Sequence, residues 1–283
     1  MPNIAYPPRR PLSVGEVLDL TFQVYRATLV KCLLPAALAV IAGQLTNVYL
    51  LARGHTLSGG GWQGILQALQ AANQDPVYWL VGMCAAVLSL ILRAVVLLRQ
   101  NAMITGGPVS GEFAQAARRS PALVGLMILV GVSVGACLLP ALLLSPPGRY
   151  LLAGLLLIPA SYVLVLLSCA YPVLLVTGSG PVASYQRSWR LATGSFWRLS
   201  IIYTVVLIVL LVFGTLVGAL AAFLAAVLGR GDVALIAATT GVIVVAVTAL
   251  TIPMYTAALL AVFGDLTARK EGMDLEQRIS ATA

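Results

Sequence analysis

Charge is scarce in this chain. Only 9% of its 283 residues are Asp, Glu, Lys or Arg, whereas a soluble domain carries about 25%. With 60% hydrophobic residues, that shortage excludes a water-soluble monomer and makes the bilayer the solvent. Carboxylates are the rarer sign: nine, against seventeen Lys and Arg. The one histidine, His55, lies in a Gly-rich stretch, and one His cannot build a metal site without help. The four cysteines, Cys32, Cys84, Cys137 and Cys169, form no CxxC pair and sit in or beside apolar runs. They read as small buried hydrophobes rather than as disulfide or metal thiolates. P-loop, GxSxG, HExxH and GxGxxG settings are all missing. "SGGGWQG" and "TGSGP" are Gly-rich but do not stand between a strand and a helix. These absences assign no catalytic residue, no metal and no cofactor. No small-residue cleavage site follows the first apolar run, so no cleavable signal peptide is expected.

What the chain has in quantity is long apolar runs. Six are long enough to span, since about 20 residues are needed: 32–52, 77–98, 121–144, 150–176, 199–228 and 233–264. The expected fold is all-α and polytopic. Pro253 is a natural kink point in the sixth run. An even number of crossings puts both termini on one side. That side holds fourteen Lys and Arg against three, Arg53, Arg149 and Arg230, on the other, so both termini are expected in the cytoplasm. The net charge of +8 thus gathers at membrane edges and does not call for nucleic acid.

Three cytoplasmic stretches look amphipathic rather than spanning. In 13–30, Val14, Val17, Leu18, Phe22, Tyr25 and Leu29 fall on one helical stripe, and Ser13 with Glu16 fits a capping box. "PVSGEFAQAARRSP" (108–121) and "PVASYQRSWRLATGSFWRL" (181–199) precede the third and fifth runs. In the last, Val182, Tyr185, Trp189, Ala192 and Phe196 share a stripe and Arg187 and Arg190 face away, while Gly194 can end the helix. The expectation is three interfacial helices, each ahead of a transmembrane hairpin. These units start near 13, 109 and 181 within one membrane domain, 1–264, followed by a tail, 265–283. Basic amphipathic loops in any positive-inside protein would give the same pattern without a true repeat. The three helices would form a cytoplasmic collar. Its apolar stripes, including Val182, Tyr185 and Trp189, would pack against span ends and acyl chains, and Arg118, Arg119, Arg187 and Arg190 would meet anionic lipid or an acidic partner, at about 1 kcal/mol per basic residue. On the outer side Trp62, Ile65, Leu66 and Leu69 suggest a short surface helix.

Arg93 is the one charge plainly inside a run. Either its stem snorkels to the headgroups or it faces the bundle interior. Its candidate company is Ser89, Gln44 and Asn47 on the first span, and Thr248, Thr251 and Tyr255 on the sixth. Such residues can bond helices together or mark a pathway. Small residues four apart, Gly131 and Gly135 in the third span and Gly214, Gly218, Ala222 and Ala226 in the fifth, are faces where backbones pack closely, within the subunit or against another copy.

"LSVGEVLDLTFQVYRA", "YQRSWRLATGSFWRL" and "DLTARKEGMDLEQRI" carry a resemblance over nearly the whole chain. They resemble the bacterial membrane-protein family named for the membrane domain of glycerophosphoryl diester phosphodiesterase. The catalytic barrel of that name needs paired histidines and several carboxylates around a metal, which this chain does not supply. The resemblance therefore implies a stand-alone membrane domain of the bacterial inner membrane. Two functions follow as expectations. The first is a non-enzymatic membrane subunit that scaffolds or docks a partner protein, or assembles with itself, through its basic face. The alternative is a transporter or lipid-handling protein with a polar site near the midplane.

Overall fold

The computed structural model describes residues 6–8, 10–53, 75–142, 145, 148–229 and 233–282. The architecture is all-α and polytopic, and six of its helices are long and apolar enough to cross a membrane. In chain order they are α1 (Val14–Ala52), α2 (Pro76–Thr105), α3 (Glu112–Leu142), α4 (Gly148–Leu167), α5 (Ala170–Thr177), α6 (Pro181–Ala192), α7 (Phe196–Gly229) and α8 (Val233–Thr282). α4 and α5 together make the fourth span. The surface helix expected around Trp62 lies outside the described residues.

The capping box forms as the sequence predicts. Ser13 N–H donates to Glu16 Oε2 at 2.7 Å and Glu16 N–H to Ser13 Oγ at 3.2 Å, which satisfies two otherwise open donors at the start of α1. The helix then runs unbroken through both the amphipathic stretch and the first span. The same holds for 112–142, where the basic segment and the third span are one helix. Hydropathy changes at Lys31 and at Pro121, but nothing there breaks the helical backbone. Pro121 sits inside α3, because a helix can pass a proline when neighbouring structure re-satisfies the freed carbonyl.

α1 lies against α2 and α8. Ser89 Oγ bonds Ala39 O at 2.9 Å, and Gln100 Nε2 bonds Thr28 Oγ1 at 3.1 Å, so α2 descends as α1 rises. Gln100, fully buried, also donates to Pro253 O at 2.9 Å and accepts from Thr256 Oγ1 at 2.7 Å. One amide thus ties three spans together beside the proline of α8.

Packing concentrates toward the end that carries Leu12 and Asp265. The main core joins Val17, Val24, Leu97, Leu123, Leu174 and Leu260 from five helices. Asp265, buried in α8, receives Arg198 at 2.6 Å, Arg269 at 3.2 Å and the Leu12 N–H at 2.8 Å. Tyr6 OH donates to Leu260 O at 3.2 Å, and burial pushes this phenol well above its ordinary value. The strap needs Gly264: a Cβ there would stand 2.9 Å from the Tyr6 ring and 3.0 Å from Pro8. In the most apolar stretch of α7 few residues are fully buried, whereas in that of α8 nearly half are.

Candidate functional site

The site is built on two local facts, an intramembrane arginine and a broken helix. α2 ends in a polar belt, where Arg99 donates to Lys31 O at 2.9 Å and pairs with Glu112 at 3.3 Å. Arg93 lies six residues deeper in the apolar run, about 9 Å by helical rise. Among the described residues no carboxylate forms an ion pair with it.

The broken helix is the fourth span, which is interrupted at Ser168 and Cys169. Pro172 favours the break: it has no N–H and its ring crowds the carbonyl four residues back, and it sits in the first turn of α5. The interruption is stitched from outside. Ser188 Oγ of α6 donates to Leu166 O at 2.8 Å, and Tyr203 OH of α7 donates to Ser168 Oγ at 2.9 Å. Arg119 donates to Leu175 O near the end of α5.

The break opens a cavity of about 620 Å³ lined by residues of α2, α3, both halves of the fourth span, α7 and α8. Its apolar wall includes Leu126, Val130, Leu164 and Leu210. Arg93, Tyr171 and Tyr255 line the same space. The Tyr171 hydroxyl is buried without a hydrogen-bond partner. The other polar groups of the wall are engaged: Ser168 with Val165 O and Tyr203, Thr251 with Thr248 O, and Thr256 with Gln100. Met127, Leu164 and Tyr255 are 39, 49 and 48% exposed. The cavity therefore opens sideways, onto the surface that acyl chains would cover.

The structure divides the polar set expected from sequence. Arg93, Thr248, Thr251 and Tyr255 share this cavity. Ser89 and Arg93 line a second hollow of about 320 Å³ with Thr46. Gln44 and Asn47 bond each other at 2.6 Å on an exposed face and reach neither hollow. Tyr171 carried no sequence expectation, because one tyrosine in an apolar run reads as core. The overlooked signal is the run "SCAYP" (168–172), which places polar atoms and a proline in mid-span.

The basic face needs correction. Arg187 does not face outward to a partner; it pairs with Glu271 at 2.6 Å. Arg119 is turned inward to Leu175 O, while Arg118 is exposed. α6 buries Ser184, Ser188, Leu191 and Ala192. Val182 and Trp189, expected to pack against span ends and acyl chains, are 55 and 38% exposed. The small serines are buried because they let helices close in and because Ser188 satisfies the open carbonyl. α6 does not lie flat: Pro181 meets Gly125, and Tyr185 OH meets Ser133 Oγ at 2.9 Å, so it turns back along α3. Trp189 and Arg190 share a shallow groove with Tyr185, with which Trp189 stacks, and Gln186. Of the small-residue faces, Gly131, Gly135, Gly214 and Gly218 have nothing within 4 Å of an added Cβ, and Ala222 is exposed.

At the far end Asp75 caps α2, accepting from Val77 N–H at 2.9 Å and from Tyr49 OH at 2.5 Å. Those bonds, Tyr49 first, hold its carboxyl below the usual carboxylate range.

Compared with family models, with curated proteins and with solved structures, the chain finds no match.

Proposed function

We propose that this chain is a non-catalytic membrane protein that holds an amphipathic ligand within the bilayer. The lipid-handling reading is thus preferred to the docking scaffold. The carrying observation is the sideways-opening cavity at the helix break, apolar on most of its wall and furnished with Arg93, Tyr171 and Tyr255. Its volume falls in the range of ligand pockets, about 300–1,000 Å³. Absence of chemistry is part of the proposal. It is supported by four carboxylates of the basic end: Glu16, Glu112, Asp265 and Glu271 are each paired with arginine, and the exposed Asp19 does not line the cavity. Residence in a bacterial inner membrane, with both termini cytoplasmic and kinship to the phosphodiesterase-associated membrane domain, belongs to the same reading.

A diacyl probe with a photoreactive group in its chain tests it. In detergent-solubilised protein the label should fall on peptides containing residues 126–130 and 164–171. Val130→Trp, which fills the cavity, should cut it by roughly tenfold. Labelling spread evenly over all lipid-facing helices, and indifferent to Val130→Trp, would refute the reading.

A further inference from the structure

We infer that the open face of α1 around Gln44 is where two copies of this chain meet, with their two Gln44 amides hydrogen-bonded to each other inside the bilayer. Gln44 lies thirteen residues beyond Lys31, which stands in the polar belt where Arg99 binds its carbonyl. That is about 20 Å by helical rise, well inside a hydrocarbon core of about 30 Å. Asn47 follows one turn later and is exposed. Its Nδ2 donates to Gln44 Oε1 at 2.6 Å, and among the described residues neither side chain has another hydrogen-bond partner. Two primary amides carry four N–H hydrogens, and this bond uses one. Gln100 shows how the fold treats such a group when it keeps it: buried in the same bundle, it makes three bonds to two neighbouring helices. In hydrocarbon an open N–H costs free energy until something accepts from it, and acyl chains accept nothing.

The surroundings select the partner. Leu34, Ala37, Ile41, Gln44 and Val48 follow one another in steps of three, four, three and four, the spacing of a coiled-coil seam. Leu34, Ile41 and Val48 are exposed, and Ala37 and Gln44 are half-buried, so the seam is open to a neighbour. An apolar seam alone would gain little over lipid. One amide within it changes this, because a primary amide holds donor and acceptor together and is complementary to itself. Two copies inserted the same way are related by a two-fold axis along the membrane normal, which turns equivalent seam positions toward each other. Each Gln44 then gives an N–H to the partner's Gln44 oxygen, while Asn47 braces that oxygen from the side. The face carries no charged side chain, so neither an acidic nor a basic partner suits it better. The small-residue faces of α3 and α7 do not compete, because their Ser133 and Thr215 hydroxyls are already bonded within the chain.

The test uses the full chain, labelled at its C-terminus with donor or acceptor dye and mixed in phosphatidylcholine vesicles at increasing lipid dilution. Energy transfer between copies reports the dimer. Gln44→Leu should weaken self-association roughly tenfold, with the thermal midpoint in detergent held or raised, since no bond to another helix is lost. Asn47→Leu should weaken it less, and Gly218→Leu, on the open face of α7, should leave it unchanged. Should Gln44→Leu fail to fold, cross-linking decides. Ile41→Cys should give a dimer band under mild oxidation that the unsubstituted chain lacks, and Leu211→Cys on α7 should not. A chain that stays monomeric at every dilution would overturn the inference. So would a dimer indifferent to Gln44→Leu, or one that cross-links through Leu211→Cys in place of Ile41→Cys. Capture of a different protein instead of a second copy, when Ile41→Cys is oxidised in native membranes, would overturn the second copy as occupant.

Discussion

The two ends of the bundle solve the same problem in opposite ways. At the end holding Leu12 and Asp265, apolar side chains from most helices converge and buried charges are cross-paired. At the other, α3 and α7 turn Val132, Leu216 and Phe223 outward, and the chief polar tie is the small knot of Tyr49, Arg53 and Asp75. In hydrocarbon, apolar contact between helices gains little over contact with lipid. A membrane bundle is therefore fixed by polar ties and close packing, and here these gather at one end. The cavity lies near where the tied half gives way to the loose half, so a space can persist there without unfolding the bundle.

Removing the strongest tie tests this contrast most severely. Asp265→Ala strands two arginines in a buried setting, and loss of one partner of such a cluster costs about 3–5 kcal/mol. Thermal unfolding in mild detergent should show the loss, and an unchanged midpoint would break the comparison. Gln100→Ala comes next. It removes the bonds to Thr28, Thr256 and the Pro253 carbonyl in one step, for about 1–3 kcal/mol, with α8 loosened against α1 in hydrogen exchange. Gly218→Leu on α7 should fall within about 0.5 kcal/mol, because among the described residues nothing lies within 4 Å of an added Cβ. If it instead lowers stability or changes the mass of the particle, the loose half is completed by a second copy.

The smallest effect is one of pH. Asp75 has its carboxyl held below the ordinary range. Its contribution is therefore present above its unfolded value and is lost as pH falls through the lowered folded one. Acid below the usual carboxylate range should loosen the start of α2 alone, and Asp75→Asn should abolish that acid dependence. Amide exchange at Val77 and Tyr78 reads both, and loosening in mildly acidic buffer would contradict it.

The six spans were legible because hydropathy and length are properties of the sequence itself. The helix limits were less so. Residues 13–30 are too polar to span, yet their period is helical and runs on into the first span, so α1 ignores the change of solvent at Lys31. The break at Ser168 was missed in a run that is apolar throughout, although Pro172 marks it. Half the candidate site was readable for a similar reason. Arg93, Thr248, Thr251 and Tyr255 announce themselves as polar atoms in apolar runs, and the fold gathers them. Gln44 and Asn47 make the same announcement but bond each other, and sequence does not say which face of α1 a neighbour will cover. Gln100 depends on partners more than seventy positions away, beyond any local pattern.

The Asp265 cluster also sets an order of assembly. Leu12 and Asp265 stand 253 positions apart, so their bond closes only once every residue between them has been made. At a ribosomal pace of about 5–20 residues per second, the first turn of α1 waits many seconds for its partner, and Arg198 waits for its counter-charge. A chain released early would carry that arginine unneutralised and the Leu12 carbonyl without its donors. The clamp thus closes late, after all the spans that lie between its two sides have been made.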